Sequence, residues 1–300
     1  MKIVHLDCGR SMRGGQWQVL FLHEGLLRAG CDSRLLAPAS SPLLLEARAR
    51  GLPAEVLRLA SLRHLADAAD LVHAHDARAH TLAALAAHRR LVVARRVAFP
   101  IARTPWSRWK QRRVRHWIAV SQYVRSVLLD AGIEASRISV VHDGVPLLPL
   151  STREGGAIAP AGADPMKGEE LLRQAEAEGG FRARRCTDLR AGLRDASLLI
   201  YLSRLEGLGS GALLAMSAAV PVVASRTGGL PEAVVHGQTG LLVENSPRAV
   251  AEAVGSLLSD RDLAARMGLA GRRRVEQRFT LDELVHRTLD VYHEVLSCSK

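Results

Sequence analysis

The sequence predicts an α/β protein of two consecutive doubly wound parallel sheets facing a cleft. Three observations carry this expectation. Apolar runs of four to six residues alternate with segments of helical period. The alternation is interrupted by VPLLPLSTREGG (145–156), which holds two prolines and a glycine pair and reads as a linker, and it then restarts. A length of 300 residues suits two domains.

In the first half, strands are expected at 2–6 (KIVHL), 33–37, 71–75 (LVHAH), 91–94, 117–120 and 138–142. Helices are expected at 16–29, 41–50, 76–88, 107–114 and 121–131, the last opened by Ser121 as N-cap and closed by Gly132. The second half repeats the pattern with strands at 157–160, 181–185, 197–203, 220–225 and 241–243. Its helices are expected at 168–178, 210–219, 247–259 and 261–277. The division that follows is 1–148 for the first domain and 149–280 for the second. The amphipathic stretch 281–300 would be a final helix packing back toward the first domain.

A hydrophobic content of 48% describes a soluble globular chain, and no run approaches 18 apolar residues, so no membrane span is expected. The start, MKIVHLD, enters a strand without a basic segment and apolar core, which predicts no signal peptide and a cytoplasmic compartment. Cys8, Cys31, Cys186 and Cys298 are scattered, unlike a disulfide framework or a zinc site.

The net charge of +11 is local. Residues 77–129 contain twelve of the 41 cations and none of the 30 acids. Trp106, Trp109 and Trp117 fall in the same span, in RTPWSRWKQRRVRHW. No groove-entering element accompanies them, so nucleic acid is not the expected partner. Arginine interleaved with tryptophan suits an anionic membrane surface, and the patch would comprise Trp106, Trp109, Lys110, Arg112, Arg113 and Arg115. A plain solvated basic face is the alternative.

The chemistry is expected to lie in SRLEGLGSGALLAMS (203–217), where a strand ends and a helix begins. Gly207, Gly209 and Gly211 permit close backbone approach, Ser210 can cap, and the N–H groups of the helix start favour an anion such as phosphate. A carboxylate repels that anion, so Glu206 either holds ligand hydroxyls or is a capping and turn residue. Hydroxyls beside phosphate describe a sugar phosphate or nucleotide. Gly14 and Gly15 open another helix after the first strand but lack the full dinucleotide fingerprint, which argues against a nicotinamide site. His73 and His75 point the same way on a strand, but no cysteine or glutamate completes a metal set with Asp76 and His80. A cleft-facing His75 bonding substrate is the better functional reading. Lys167, just before a helix, can reach a phosphate.

Taken together these residues resemble a glycosyltransferase of family 4, of the lipopolysaccharide-core type, with the GT-B fold of two Rossmann-like domains. The resemblance rests on RGGQWQVLFLHEGLLRAG, DLVHAHDARAH, IAVSQYVRSVLLDAGIEASRISVVHDGV, MKG, EGLGSGALLAMSAAVPVVASRTGGLPEAVVHGQTGLLV and the tail RRRVEQRFTLDELVHRTLDVYHEVL. It implies a retaining hexosyltransferase, without bound metal or other cofactor, moving a sugar from a nucleotide-diphosphate donor. The acceptor would be lipid-linked or of lipopolysaccharide type, on the inner membrane face. It places Gly14 and Gly15 near the donor phosphates, His75 at the donor sugar, Lys167 at the diphosphate and Glu206 at the sugar hydroxyls. The backbone of Leu208, Gly209 and Ser210, between Gly207 and Gly211, would meet sugar and phosphate.

Three departures accompany the resemblance. The family usually has a second glutamate, holding ribose, where this chain has Leu214, and often an arginine where it has Gly162. The stretch between Gly179 and Leu198 is also short. Losing a charged hydrogen bond to ribose costs roughly 1.5–3 kcal/mol. A degenerate, non-catalytic homologue that binds or regulates a partner is therefore the alternative.

Overall fold

The computed structural model describes residues 1–86, 90–162 and 165–297; Arg89 and Cys298 lie outside them. The chain forms two compact units, Met1–Asp143 with Leu281–Lys300, and Gly144–Thr280. In the first, the elements run β1 (Lys2–Leu6), α1 (Gly14–Arg28), β2 (Asp32–Ala37), α2 (Pro42–Ala49), β3 (Ala54–Val56), α3 (Leu59–Ala68), β4 (Leu71–Ala74), α4 (Ala77–Leu85), β5 (Leu91–Arg95), α5 (Pro105–Arg113), β6 (Val114–Ala119), α6 (Gln122–Asp130) and β7 (Ile138–Val140). The second contains β8 (Ala157–Pro160), α7 (Glu169–Gly179), β9 (Arg184–Cys186), α8 (Leu189–Gly192), β10 (Leu198–Tyr201), α9 (Ser210–Ser217), β11 (Val222–Ser225), α10 (Leu230–Ala233), β12 (Leu241–Val243), α11 (Pro247–Ser259) and α12 (Arg261–Arg278). Helix α13 (Leu281–Ser297) returns to the first unit.

The first sheet has the order β3-β2-β1-β4-β5-β6-β7, and each of its strand pairs is parallel. Its central strands β1, β4, β5 and β6 are largely buried on both faces, which is why they read as apolar runs rather than as alternations. Strand β3 and helix α3 escape a periodicity reading: β3 is three half-buried residues, and α3 buries only Leu62 and Ala66. One face of the sheet is closed by α1 and α13. Leu284, Val285, Val291, Tyr292 and Val295 of α13 pack with Ile3, Leu22, Leu26, Leu71, Val92 and Ile118 in one cluster. The helices cross so closely at Gly25 that an added Cβ would collide with Val285.

The second sheet has five parallel strands in the order β12-β11-β10-β8-β9. The short stretch after α7 holds only β9 and the four-residue α8. The segment expected to be a linker is instead tied to this unit. Val145 pairs with Thr280, Ser151 N donates to Ala218 O at 3.0 Å, and Thr152 N donates to Arg194 O at 3.0 Å. These bonds move the boundary from 148/149 to Asp143/Gly144. No described helix is long and apolar enough to cross a membrane.

Candidate functional site

The Gly-rich segment lies, as the periodicity predicts, between β10 and α9. Tyr201 ends β10 nearly buried, and its hydroxyl donates to Glu206 Oε2 at 3.1 Å. Lys167 Nζ reaches the same oxygen at 2.5 Å and stands 3.5 Å from the tyrosine hydroxyl. Lysine and glutamate, read from the sequence as separate contacts, are thus one ion pair sharing a phenol. Burial, then the Glu206 charge, pushes the Tyr201 hydroxyl well above its ordinary range, so it stays protonated and remains a donor. Sequence reasoning passed over Tyr201; an aromatic residue with a polar tip closing an apolar strand was the signal.

The glycines serve the protein's own packing as well as any ligand. Gly209 is the N-cap of α9 with φ +97°, a left-handed conformation. A Cβ there would stand 2.5 Å from Leu230 Cδ2. One at Gly211 would stand 2.7 Å from Tyr201 Cε2, pushing away the ring that holds Glu206. Ser210 is therefore not the cap: it is the first helical residue, and no side chain caps α9. Gly207 and Leu208 are buried, so Leu208 has only its backbone to offer a ligand. From the opposite side Gly229 N donates to Glu206 O at 3.0 Å, while Gly228, at φ +54°, lies where any Cβ would collide with that carbonyl. The glycine pair of RTGGLPE thereby fixes the backbone of Glu206. Leu214 is half-buried, one turn beyond Ser210, and is not part of the core. Gly162 is exposed with open space around it.

In the first unit Gly14 and Gly15 begin α1, and nothing lies within 4 Å of a Cβ added at Gly15. The loop before them is held by Asp7, which accepts from Gly9 N at 2.8 Å and from Gln16 Nε2 at 3.2 Å. Burial raises the Asp7 carboxyl above its usual range.

His75 is buried with both ring nitrogens engaged. Arg96 Nη1 lies 3.2 Å from Nδ1, and His5 Nδ1 lies 2.9 Å from Nε2. Since a guanidinium can only donate, His75 accepts at Nδ1 and carries its proton on Nε2, which donates to His5. To bond a sugar hydroxyl, His75 must give up one of these partners. Parallel register, His5 against His73, supplies the partner that spacing alone could not reveal. Nitrogens of His5, His73 and His75 lie within 4.8 Å of one another, a spacing that could admit a metal ion. The Arg96 charge facing His75 opposes a dication there. Asp76 and His80 belong elsewhere: Asp76 caps α4, and His80 Nε2 donates to Lys110 O at 3.3 Å.

The basic, tryptophan-bearing stretch forms α5, which has no buried residue. Trp106 and Trp109 stack with centroids 4.7 Å apart, and the Arg113 guanidinium lies 4.0 Å over Trp109. Trp106 is half exposed and Arg112 and Arg113 are exposed. Lys110 departs from the expected patch, because Nζ donates to Thr81 Oγ1 at 3.0 Å and burial lowers its pKa. Arg115 extends from β6, not α5, and is exposed.

Comparison with known proteins assigns both units. Residues 12–147 match the family described as Glycosyltransferase Family 4, and residues 180–274 match Glycosyl transferases group 1. Over 87 residues the chain is 47% identical to a GDP-mannose-dependent α-(1-6)-phosphatidylinositol monomannoside mannosyltransferase of Mycobacterium tuberculosis, covering 29% of this chain and 23% of that one. Over 110 residues it is 42% identical to an α-maltose-1-phosphate synthase of Mycolicibacterium smegmatis, covering 34% and 28%. The chain thus matches about a quarter of the length of these curated relatives. Across 98% of its length it superposes on all of Anabaena HepE, a structure in complex with UDP, with a TM-score of 0.86 at 18% identity. That likeness is one of fold. The first unit is accordingly a glycosyltransferase family 4 domain and the second a group 1 glycosyltransferase domain, in a chain of GT-B fold.

Proposed function

We propose that this chain is a retaining hexosyltransferase that takes a sugar from a nucleotide-diphosphate donor bound by the second unit. The observation that carries the reading is the Lys167–Glu206–Tyr201 cluster ahead of the α9 start, within the group 1 context. Without ligand, Lys167 and Glu206 neutralise each other. On donor binding, Lys167 exchanges its carboxylate partner for a diphosphate oxygen, and Glu206, still held by Tyr201, turns to sugar hydroxyls. Lysine and the N–H groups of α9 then meet the charge that develops on the leaving diphosphate, where such groups lower the barrier. No metal is needed for this charge balance, and chelator is expected to leave transfer unchanged. A calorimetric panel of UDP-, GDP- and ADP-sugars tests the reading. One base should bind; heat from none of them would leave the non-catalytic alternative standing.

Leu214 bears on donor affinity. Because it is half-buried one turn past Ser210, Leu214→Glu should cost little stability and tighten nucleotide binding about fivefold, near 1 kcal/mol. Desolvating the new carboxylate keeps the gain below that of a full charged bond. A lower melting temperature with no nucleotide response would remove α9 from the donor site.

The acceptor we propose is lipid-linked or of lipopolysaccharide type, met by the first unit at the cytoplasmic face of the inner membrane. Support comes from the half-exposed Trp106, stacked on the half-buried Trp109, with the exposed Arg112 and Arg113. Tryptophan settles at headgroup depth, and each nearby basic residue contributes about 1 kcal/mol toward anionic lipid. Sedimentation with phosphatidylcholine vesicles, with and without phosphatidylglycerol, checks this. Equal binding to both would defeat the electrostatic account.

A further inference from the structure

We propose that the first unit carries a phosphate-binding site in the cavity between α5 and the turn after α6. The cavity, about 420 Å³ in volume, is lined by Arg103, Arg108, Gln111, Arg112, Asp130 and Arg137 among others. Four arginines therefore line one concavity with a single acidic residue.

Two of the four are held in place by the fold. Arg103 Nη2 donates to Asp130 O at the end of α6. Arg137, arriving from the far side, donates through Nη2 to Gln111 O at 3.3 Å and to Val114 O, the carbonyls where α5 ends. Carbonyls at a helix end are the ordinary partners of such cations, and each bond leaves the rest of the planar donor fork free. Arg108 and Arg112 are one turn apart on α5, so they repel each other, and neither side chain has an ion-pair or hydrogen-bond partner among the described residues. A tetrahedral anion with three or four oxygens satisfies this set, since arginine forks bind phosphate in paired bonds.

Helical periodicity separates this site from the tryptophan surface. Trp106, Trp109 and Arg113 form one stripe of α5 and Arg108 and Arg112 the stripe beside it, with Arg112 bordering both. A flat membrane against the tryptophans does not fill the arginine side; a single phosphate group entering the cavity does. The ligand class is a phosphomonoester or phosphodiester, either free or carried by a lipid headgroup. The site stands independently of the transfer reading.

The test is calorimetric titration of the full chain, without donor, with glycerol 3-phosphate, and in a second arm with phosphatidylglycerol vesicles. Saturable 1:1 binding of glycerol 3-phosphate is expected, weakened about tenfold or more by the double change Arg108→Gln and Arg112→Gln and unaffected by Arg113→Gln. Arg103→Gln serves as an independent variant should the double change perturb folding. Binding in the vesicle arm alone, lost in the double variant but kept by Arg113→Gln, assigns the phosphate to a lipid headgroup. Absence of binding in both arms overturns the proposal, as does equal weakening by Arg113→Gln, which would mean a diffuse basic face. A donor panel that fails while glycerol 3-phosphate binds would sink only the transfer reading.

Discussion

Lowering the pH from 7.5 to 5 should unfold the first unit or bring it close to unfolding. His5, His23, His73, His75 and His80 are all buried, and burial, the largest cause for each, holds their pKa values down. For His23 and His80 the value falls to about 4. In the unfolded chain these imidazoles titrate near 6.5. Below that pH the unfolded state takes up protons that the folded state refuses, so stability is complete above about 6.5 and is lost as the pH falls. At pH 5 the loss is about 2 kcal/mol for each of His23 and His80, so these two together remove about 4 kcal/mol. His5, His73 and His75 shift the balance in the same direction, against a whole domain's stability of about 5–15 kcal/mol. Urea midpoints at pH 7.5 and 5 check this, followed by tryptophan fluorescence, since Trp17, Trp106, Trp109 and Trp117 all lie in the first unit. An unchanged midpoint would mean that the histidines are hydrated and titrate normally.

Glu206→Gln should lower kcat about 10²–10³-fold and leave the melting temperature nearly unchanged. The first effect follows from losing the charged acceptor that Tyr201 and Lys167 hold. The second follows from the exposure of Lys167, 39% at the side chain, because partly exposed ion pairs contribute only about 0–1 kcal/mol. Lys167→Met should act similarly. Because donor binding parts the two residues, Lys167 to the diphosphate and Glu206 to the sugar hydroxyls, the losses in the double variant should be close to additive. A double variant no worse than the poorer single one would show that the pair stays joined in the donor complex. Transfer by Glu206→Gln within about threefold of the unaltered chain would remove the role assigned to the carboxylate.

Most of this architecture was legible because parallel strands buried on both faces leave continuous apolar runs, as LLIY and VVAS do. The position of Lys167, Glu206 and the α9 start followed from the same punctuation of strand, glycine and helix. What escaped was lateral. Tyr201 lies five residues from Glu206 in the chain, but only the turn of the loop brings its hydroxyl onto the carboxylate. His5 meets His75 through strand pairing across a sequence separation of 70 residues. Gly211 was read as room for a ligand, whereas the space it leaves is occupied by the Tyr201 ring. Arg137, outside the acid-free span, joins its arginines only through the packing of α5 beside the α6–β7 turn.

The return of α13 to the first unit fixes an order of assembly during synthesis. Tyr292 is fully buried in the first unit, in one cluster with Ile3 and Leu22, and residues 284–295 complete that core. When the ribosome has released the first 143 residues, that core still lacks its closing helix, and an apolar face of the sheet stays open. The second unit is continuous in sequence, so it has everything it needs before the first does. Translation at about 5–20 residues per second leaves the unfinished N-terminal unit waiting about 8–30 s for its last segment. The usual sequence, N-terminal domain first, is thereby reversed. This nascent chain is most exposed to aggregation and chaperone capture in that interval, and a stop codon anywhere before Leu284 would prolong it indefinitely.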